Sequence, residues 1–304
     1  MKLTKVFTIL SLDLRLVHAS RDAGVPVVGM VRSWDNPTAK GLLRVLPDTI
    51  LVHNEAVKGE LTRFHGVPAE KIKTVGVPHY DRYFTHEAVD VAGFKKRLGL
   101  NSEKKLVLYA PVGDRYLSDN TVDRDIVSIL DKLLPPNYEI LVRLPPTDSV
   151  RDLPVGRRGR ITVERPGGGF GVLKATELSG GDDERLIETL QTVDMVVTGP
   201  TTMCIDASIF DKPVILVGFD GYKTRSYYES VRRYFDYDHW RPVIESGGAP
   251  LALTLGEFGE LISQYLADPS RDSDGRRQIV SAEAAYTDGR SSERMVKTLV
   301  SFIK

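Results

Sequence analysis

The sequence predicts an α/β protein made of two domains, each with a parallel sheet. The chain has 304 residues, which is long enough for two such domains. Short apolar runs alternate with helix-like segments over most of its length, as in strands joined by crossover helices. Gly or Pro follows many of these segments and marks the turns between them.

Composition and charge limit the kinds of ligand and partner that the protein is expected to bind. Lys plus Arg and Asp plus Glu are each 41, so the formal net charge is zero. A protein that binds a phosphate backbone usually carries a basic excess, so we expect no nucleic-acid partner. The single cysteine, Cys204, excludes an intramolecular disulfide and a Cys-rich metal site. No histidines are paired at metal-ligand spacing, so we expect no metal.

The sequence indicates a cytoplasmic protein. No apolar run reaches the roughly 18 residues that span a bilayer, and the N-terminus lacks a signal-peptide cleavage site. Four tyrosines lie among basic residues over residues 225–237. That segment either flanks the ligand-binding cleft or contacts a membrane surface or polyanionic acceptor, so membrane contact, if any, is expected to be peripheral.

The first domain is assigned to residues 1–90. About three strands precede its boundary, where a complete domain of this kind has roughly five or six, so it is small or truncated. Its predicted elements are a helix over Leu14–Ala23, strands over Val25–Val31 and Thr49–Val52, a helix over Glu55–Phe64 and a strand over Lys71–Val75.

The second domain is assigned to residues 91–290, and residues 291–304 form a last helix. The Gly-rich stretch Pro166–Gly171 is predicted to be a loop. The predicted strands are Lys105–Ala110, Glu139–Leu144, Arg160–Glu164, Asp194–Thr198 and Pro213–Val217; the predicted helices are Phe94–Leu98, Asp123–Leu134, Asp183–Thr192, Thr202–Phe210, Leu255–Leu266 and Ser292–Ile303.

The segment from Asp194 to Val217 carries the strongest chemical signal. It reads as a buried strand, a Gly-Pro turn at Gly199, the hydroxyl residues Thr201 and Thr202, a helix and another buried strand. Free amides and the positive end of a helix dipole meet at such a turn, which suits a diphosphate. The alternative is that Thr201 only caps the helix.

This segment resembles the nucleotide-binding strand, turn and helix of GT-B enzymes, in particular the CDP-glycerol glycerophosphotransferases and surface-carbohydrate glycosyltransferases. Four further motifs agree, in register from about residue 13 to the C-terminus. They are Leu108-Tyr109-Ala110-Pro111, the segment Gly76 to Asp81, Ser33-Trp34-Asp35-Asn36 with Lys40-Gly41, and the segment Asp288 to Arg294.

The resemblance implies two Rossmann-type domains facing a cleft, with the last helix packing back towards the first domain. It implies a nucleotide-sugar donor used as substrate, no cofactor, and a glycan or lipid-linked acceptor. On the donor side it points to Gly113 and Arg115 after a strand, to Arg143, and to Gly199, Thr201, Thr202 and Asp206. Arg143 is alternatively a structural salt bridge at a strand end.

One departure bears on the reaction. In the glycerophosphotransferases a catalytic His-Pro pair follows the strand that matches Glu139–Leu144, but here Pro145 stands where that histidine is expected. A proline cannot act as acid or base. The expected activity is therefore metal-independent glycosyl transfer in envelope polysaccharide synthesis. The alternatives are CDP-polyol transfer, sugar-nucleotide 2-epimerisation, or a non-catalytic relative.

The acceptor side is expected at the loop Ser33, Trp34, Asp35 and Asn36, because ligands of open sheets bind at the carboxyl ends of strands. Asp35 is the candidate general base, and Trp34 could stack on a sugar. Alternatively, Trp34 packs beneath the loop and the Asp35-Asn36 pair forms turns before a proline. His79, at another strand end, is the second candidate base.

Overall fold

The computed structural model describes residues 5–8, 14–114, 117, 119–146, 148–154, 159–170 and 175–302. Arg115 of the predicted donor side lies outside these residues. The chain divides into two compact units. The first contains Met1–His86, Tyr237–Pro242 and Ile279–Lys304, and the second contains Glu87–Asp236 and Val243–Gln278.

The first unit is built on a four-stranded parallel sheet in the order β1-β2-β3-β4. Asn54 caps the helix after β3 by accepting from the Val57 amide at 2.8 Å, and Gly66 ends that helix with a φ of 65°. The elements up to residue 86 are β1 (Lys5–Thr8), α1 (Leu14–Asp22), β2 (Val27–Met30), α2 (Asn36–Ala39), β3 (Thr49–Val52), α3 (Glu55–His65), β4 (Ile72–Thr74) and α4 (Asp81–Thr85).

The second unit is built on a six-stranded parallel sheet in the order β12-β11-β10-β5-β6-β7. The elements after residue 86 are α5 (Val91–Arg97), β5 (Lys105–Ala110), α6 (Val122–Leu133), β6 (Tyr138–Arg143), β7 (Ile161–Glu164), β8 (Gly168–Phe170), β9 (Ala175–Glu177), α7 (Gly180–Thr192), β10 (Met195–Thr198), α8 (Met203–Ile209), β11 (Val214–Val217), α9 (Arg241–Ser246), β12 (Leu251–Ala252), α10 (Leu255–Ala267), α11 (Ser273–Glu283) and α12 (Ser291–Val300). The helices α9 and α11 each have residues in both units, and α12 belongs to the first unit.

The sheet of the first unit has an apolar core on both faces, because successive strand residues point to opposite sides. Ile50 and Val52 of β3 pack with Val57 and Leu61 of α3. Leu51 points to the other face, where its cluster includes residues of α12. The C-terminal helix is thereby anchored to the first unit, through the partly buried side chains of Met295 and Leu299 and of Phe302 just after it.

In the second unit, β5 and β10 are neighbours although 84 residues of chain separate Ala110 from Met195. From β5 the chain moves outward through β6 and β7, and from β10 it moves outward on the other side through β11 and β12. The connections therefore run in opposite directions from the β5–β10 pair. This is the topological switch point, where ligands of open α/β sheets bind.

Several features differ from the sequence-based expectations. The Gly-rich stretch is not only a loop, since β8 lies within it and pairs antiparallel with β9. The helix α11 and the 3-10 helices Tyr227–Glu229, Val231–Asp236 and Asp238–Trp240 were not anticipated. Within the described ranges, no helix is both long and apolar enough to cross a membrane.

Candidate functional site

The loops after β5 and β10 lie directly against each other at the switch point. The hydroxyl of Thr198 donates to the carbonyl oxygen of Ala110 at 3.1 Å, and the Gly199 amide donates to the same oxygen at 3.4 Å. A Cβ atom on Gly199 would overlap the Cγ2 atom of Val112. Only glycine therefore allows this close approach of the two loops.

The turn after β10 presents one engaged and one exposed hydroxyl. The Thr201 hydroxyl lies 2.8 Å from that of Thr198 and accepts from the Met203 amide at 3.2 Å, so it closes the turn internally. Thr202 is exposed, and its side chain makes no capping bond at the start of α8. Asp206 is buried on that helix. Of the two predicted threonines, Thr202 is the better placed to meet a ligand.

The turn after β5 is held by a buried carboxylate. Asp123 of α6 accepts from the amides of Val112 and Gly113 at 2.9 and 3.0 Å. It also accepts from the Tyr109 hydroxyl at 2.5 Å and from the Asn120 amide group at 2.6 Å. Burial raises the pKa of Asp123, but all four partners are donors and therefore suit the ionised carboxylate. The Gly113 amide is thus engaged within the protein.

Arg143 forms a buried salt bridge, which is the alternative role that the sequence analysis gave it. Its guanidinium is buried and donates to Glu164 at 2.7 Å and to the Asp182 carbonyl oxygen at 3.2 Å. Pro145, which follows it, packs at the Gly113 turn, where a Cβ atom on that glycine would lie 3.3 Å from the proline ring. The end of β6 therefore offers no imidazole for acid–base chemistry.

All histidines of the chain fall in segments of the first unit, and none lies in the second. They are His18, His53, His65, His79, His86 and His239. The second unit by itself therefore supplies no imidazole for acid or base chemistry at the switch point.

The predicted acceptor-side loop follows β2 in the first unit. Trp34 is only 7% exposed, and its ring contacts those of His239 and Trp240 edge-on, at 4.9 Å to each. It therefore packs beneath the loop, and stacking on a sugar would require it to come out. Asp35 is half-buried and pairs with Lys40 at 3.2 Å.

Asn36 shapes this loop with its side-chain amide. It is buried, accepts from the Ser33 amide at 3.2 Å and donates to the Asp35 carboxylate at 3.0 Å. These are the turn-type bonds expected of an Asp-Asn pair before a proline. The bond from Asn36 restrains the Asp35 carboxylate.

His79 lies on a 3-10 turn, Pro78–Tyr80, and is exposed. Its Nε2 atom is 3.3 Å from the Tyr83 hydroxyl, and the two rings meet edge-on at 5.3 Å.

Two residues with central contacts were missed by the sequence reasoning. Asp123 could have been found, because it is a carboxylate on the apolar side of a strongly amphipathic helix. His239 gave no local signal, since its partners lie about 200 residues away in the chain.

Comparison with known proteins assigns the chain to a family. The model of the CDP-glycerol:poly(glycerophosphate) glycerophosphotransferase family matches residues 40–301. No curated protein sequence matches.

Two kinds of solved structure share the fold. One is the wall teichoic acid polymerase TagF, in a variant soaked with CDPG, with a TM-score of 0.54, 14% identity, and coverage of 84% of this chain and 57% of TagF. The other is UDP-GlcNAc 2-epimerase, bound to UDP-GlcNAc in the Neisseria meningitidis enzyme, with a TM-score of 0.62, 15% identity, and coverage of 98% and 76%.

The epimerase of Methanocaldococcus jannaschii is similar to the same degree, with a TM-score of 0.62 and 15% identity over 98% of this chain and 75% of that enzyme. The chain spans little more than half the length of TagF. At these identities the likenesses establish the fold, which is GT-B-like with Rossmann-type parallel sheets. The family model covers most of the sequence, and the chain therefore belongs to the CDP-glycerol:poly(glycerophosphate) glycerophosphotransferase family.

Proposed function

We propose that this chain is a glycosyltransferase that takes a sugar from a nucleotide-diphosphate donor bound at the β5–β10 switch point of the second unit. The observation that carries the proposal is the contact of the Gly199 and Val112 loops, which leaves the exposed Thr202 hydroxyl at the carboxyl edge of the sheet. Nucleotide ligands of open α/β sheets bind at this place.

We infer the donor-side roles from these contacts. The Thr202 hydroxyl donates a hydrogen bond to a phosphate oxygen of the nucleotide substrate. Gly199 and Thr201 hold the turn on which Thr202 lies. Gly113 and Arg143 support the surrounding loops, since they are engaged with Asp123 and Glu164, and Asp206 lies buried on α8. Arg115, beside this turn in sequence, is the remaining candidate for phosphate contact. No metal or cofactor is required by this scheme.

On the acceptor side we assign the general base to Asp35. A carboxylate can accept the proton of an acceptor hydroxyl as that oxygen attacks the sugar. Ser33 and Asn36 hold the loop, and Trp34 supports it from below. His79 is the alternative base, favoured by its exposure. We expect the acceptor to be a glycan or lipid-linked glycan of the cell envelope.

Transfer of a polyol phosphate from a CDP-polyol is the second candidate, favoured by the family match over residues 40–301. Against it stand Pro145, at the place where the resemblance expects a histidine, and the lack of any histidine in the sequence of the second unit. The two reactions release different products. Glycosyl transfer breaks the bond between sugar carbon and oxygen and releases a nucleoside diphosphate, whereas polyol-phosphate transfer breaks the diphosphate and releases CMP.

The first experiment is a thermal-shift and calorimetry panel of UDP, GDP, CDP, dTDP and CMP, with and without magnesium. We expect one nucleotide to raise the melting temperature independently of magnesium, because a ligand that binds only the folded state stabilises it. Thr201→Ala with Thr202→Ala should weaken that binding at least about tenfold, a loss of about 1.4 kcal/mol. The control is Thr62→Ala, an exposed helix position of the first unit.

Full affinity in the double variant would exclude this donor site. With the nucleotide known, the corresponding sugar and polyol donors are incubated with acceptor, and the released nucleotide is identified. A diphosphate product supports the sugar donor, and CMP supports the polyol donor. An epimeric sugar nucleotide formed without acceptor would instead assign the epimerase reaction.

A further inference from the structure

The segment Tyr237–Pro242 belongs to the first unit, although the chain on both sides of it belongs to the second. Its 3-10 helix places His239 and Trp240 in the interior, with 7% and 2% of their surfaces exposed. Both rings lie against Trp34 of the acceptor-side loop. That loop is therefore completed by residues far away in the sequence.

A chain of hydrogen bonds joins this segment to Asp35. The Nδ1 atom of His239 is 2.7 Å from the Thr38 hydroxyl oxygen, which in turn is 3.4 Å from the backbone carbonyl oxygen of Asp35. A threonine hydroxyl has one proton to donate. Both bonds form together only when Nδ1 carries a proton and donates to Thr38, while Thr38 donates to Asp35.

The His239 ring is neutral and tightly packed. Burial lowers the pKa of His239 to about 4, a shift that the nearby carboxylates of Asp35 and Asp238 oppose and that Lys40 reinforces. The Tyr237 ring stacks on it at 5.8 Å with an interplanar angle of 15°. At neutral pH the ring therefore acts as a fixed donor.

We propose that His239 is a positioning residue of the acceptor side, which fixes the backbone of Asp35 through Thr38 and thereby orients the Asp35 carboxylate. The structural half of this inference stands on the contacts above, and the kinetic half rests on the proposed function. Orientation matters because a displacement of about 1 Å at a catalytic group can lower a rate about a hundredfold.

The structural half is tested by hydrogen exchange of the peptide that spans residues 33–40. Thr38→Val replaces the hydroxyl with a methyl group of similar size, and His239→Gln moves the amide donor away from the Nδ1 position. Both should speed exchange of this peptide about tenfold or more, whereas Thr38→Ser and His239→Asn, which keep a donor in place, should not. Equal exchange in all four variants would overturn the proposal.

Tryptophan emission controls for loss of packing. The chain has two tryptophans, Trp34 and Trp240, and both lie in this cluster. An unchanged emission maximum in Thr38→Val shows that the rings remain packed and that the exchange result reports the hydrogen bonds.

The kinetic half is tested with the donor and acceptor identified above. Thr38→Val and His239→Gln should lower kcat about tenfold to a hundredfold with the donor Kd within twofold of wild type, and Thr38→Ser should restore most of the rate. Faster exchange with unchanged kcat would refute the functional role. Absence of turnover in the wild-type protein would instead refute the proposed function, and the exchange data would then decide the positioning alone.

Discussion

Asp81 accepts hydrogen bonds from the backbone amides of both Ser291 and Ser292, one to each carboxylate oxygen, at 2.7 Å. A carboxylate at the start of a helix satisfies free amides and interacts favourably with the helix dipole. Gly76, with a φ of 89°, packs so closely that a Cβ atom there would overlap the Ser291 hydroxyl. Two motifs about 210 residues apart in sequence thus form one junction that anchors α12.

Removing this carboxylate should destabilise the first unit. We expect Asp81→Ala to lower the free energy of unfolding by about 1 to 2 kcal/mol, as for loss of a helix cap. Burial opposes ionisation of Asp81, but the hydrogen bonds from Ser292 and Ser291 outweigh it and hold its pKa below the ordinary value. The stabilisation is therefore full above about pH 4 and is lost as the pH falls through the lowered pKa.

Urea titrations at pH 7 and at lower pH check this expectation. The difference between wild type and Asp81→Ala should shrink on acidification. Glu293→Gln is the matched control, because Glu293 lies exposed on the same helix and makes only a loose ion pair with Arg290, at 3.7 Å. An equal effect of both substitutions would show that the junction is not the source of stability.

A second prediction concerns two buried carboxyl groups of the first unit. Burial, with the nearby charge of Glu60, raises the pKa of Glu283 to about 8. Burial and the charge of Asp238 raise that of Glu60 to about 7. The folded state therefore holds protons on these two groups that the unfolded state releases, so their contribution to the free energy of unfolding should fall as the pH rises from about 4.5 to 8.

Glu283→Gln should reduce this dependence, because an amide does not ionise and can keep its contact with Asn54, now 3.2 Å away. Melting temperatures between pH 5 and 9 measure the effect, and the variant should gain most over wild type at the alkaline end. Glu70→Gln, at an exposed site, serves as control. Parallel pH curves for Glu283→Gln and wild type would contradict the prediction.

The sequence predicted the central strands well and the peripheral elements poorly. Lys105–Ala110 and Thr49–Val52 were predicted with their observed bounds, because strands buried on both faces of a parallel sheet are short, continuous apolar runs. The strand Gly168–Phe170 was missed, since glycines carry no side-chain alternation. The helix α11 was missed because its sequence is mostly polar and shows no clear apolar face; one of its buried residues is an arginine, Arg276.

The positions of the donor-side loops could be predicted from their turn residues. The hydrogen bonds and ion pairs that these loops make within the protein could not. That the Gly113 amide binds Asp123, and that Arg143 binds Glu164, depends on how neighbouring strands and helices pack. The contact between Trp34 and His239 forms only because the chain comes back to the first unit about 200 residues later. Local sequence patterns do not specify such contacts.

A third prediction tests the buried carboxylate of the donor side. Asp123→Asn replaces one accepting oxygen with a donor that faces other donors, among them the Gly113 amide. We expect it to lower the free energy of unfolding by about 3 kcal/mol, the effect of leaving one or two buried groups unpaired, and to speed amide exchange over residues 111–114. Asp119→Asn, at an exposed site on the same loop, should change neither. Wild-type exchange in Asp123→Asn would show that Asp123 does not hold the turn.

The last prediction addresses the contact between the two loops of the switch point. In Gly199→Ala the new methyl group would overlap Val112, so the loops must separate and the Thr202 hydroxyl must shift. We expect nucleotide affinity to fall about tenfold, or about 1.4 kcal/mol, as measured by calorimetry. Adding Val112→Ala makes room for the methyl group, so the double variant should recover affinity, which is a coupling that independent sites would not show. Gly168→Ala, where a Cβ atom would meet nothing within 4 Å, is the matched control. If Val112→Ala fails to restore affinity, steric contact between these loops does not shape the donor site.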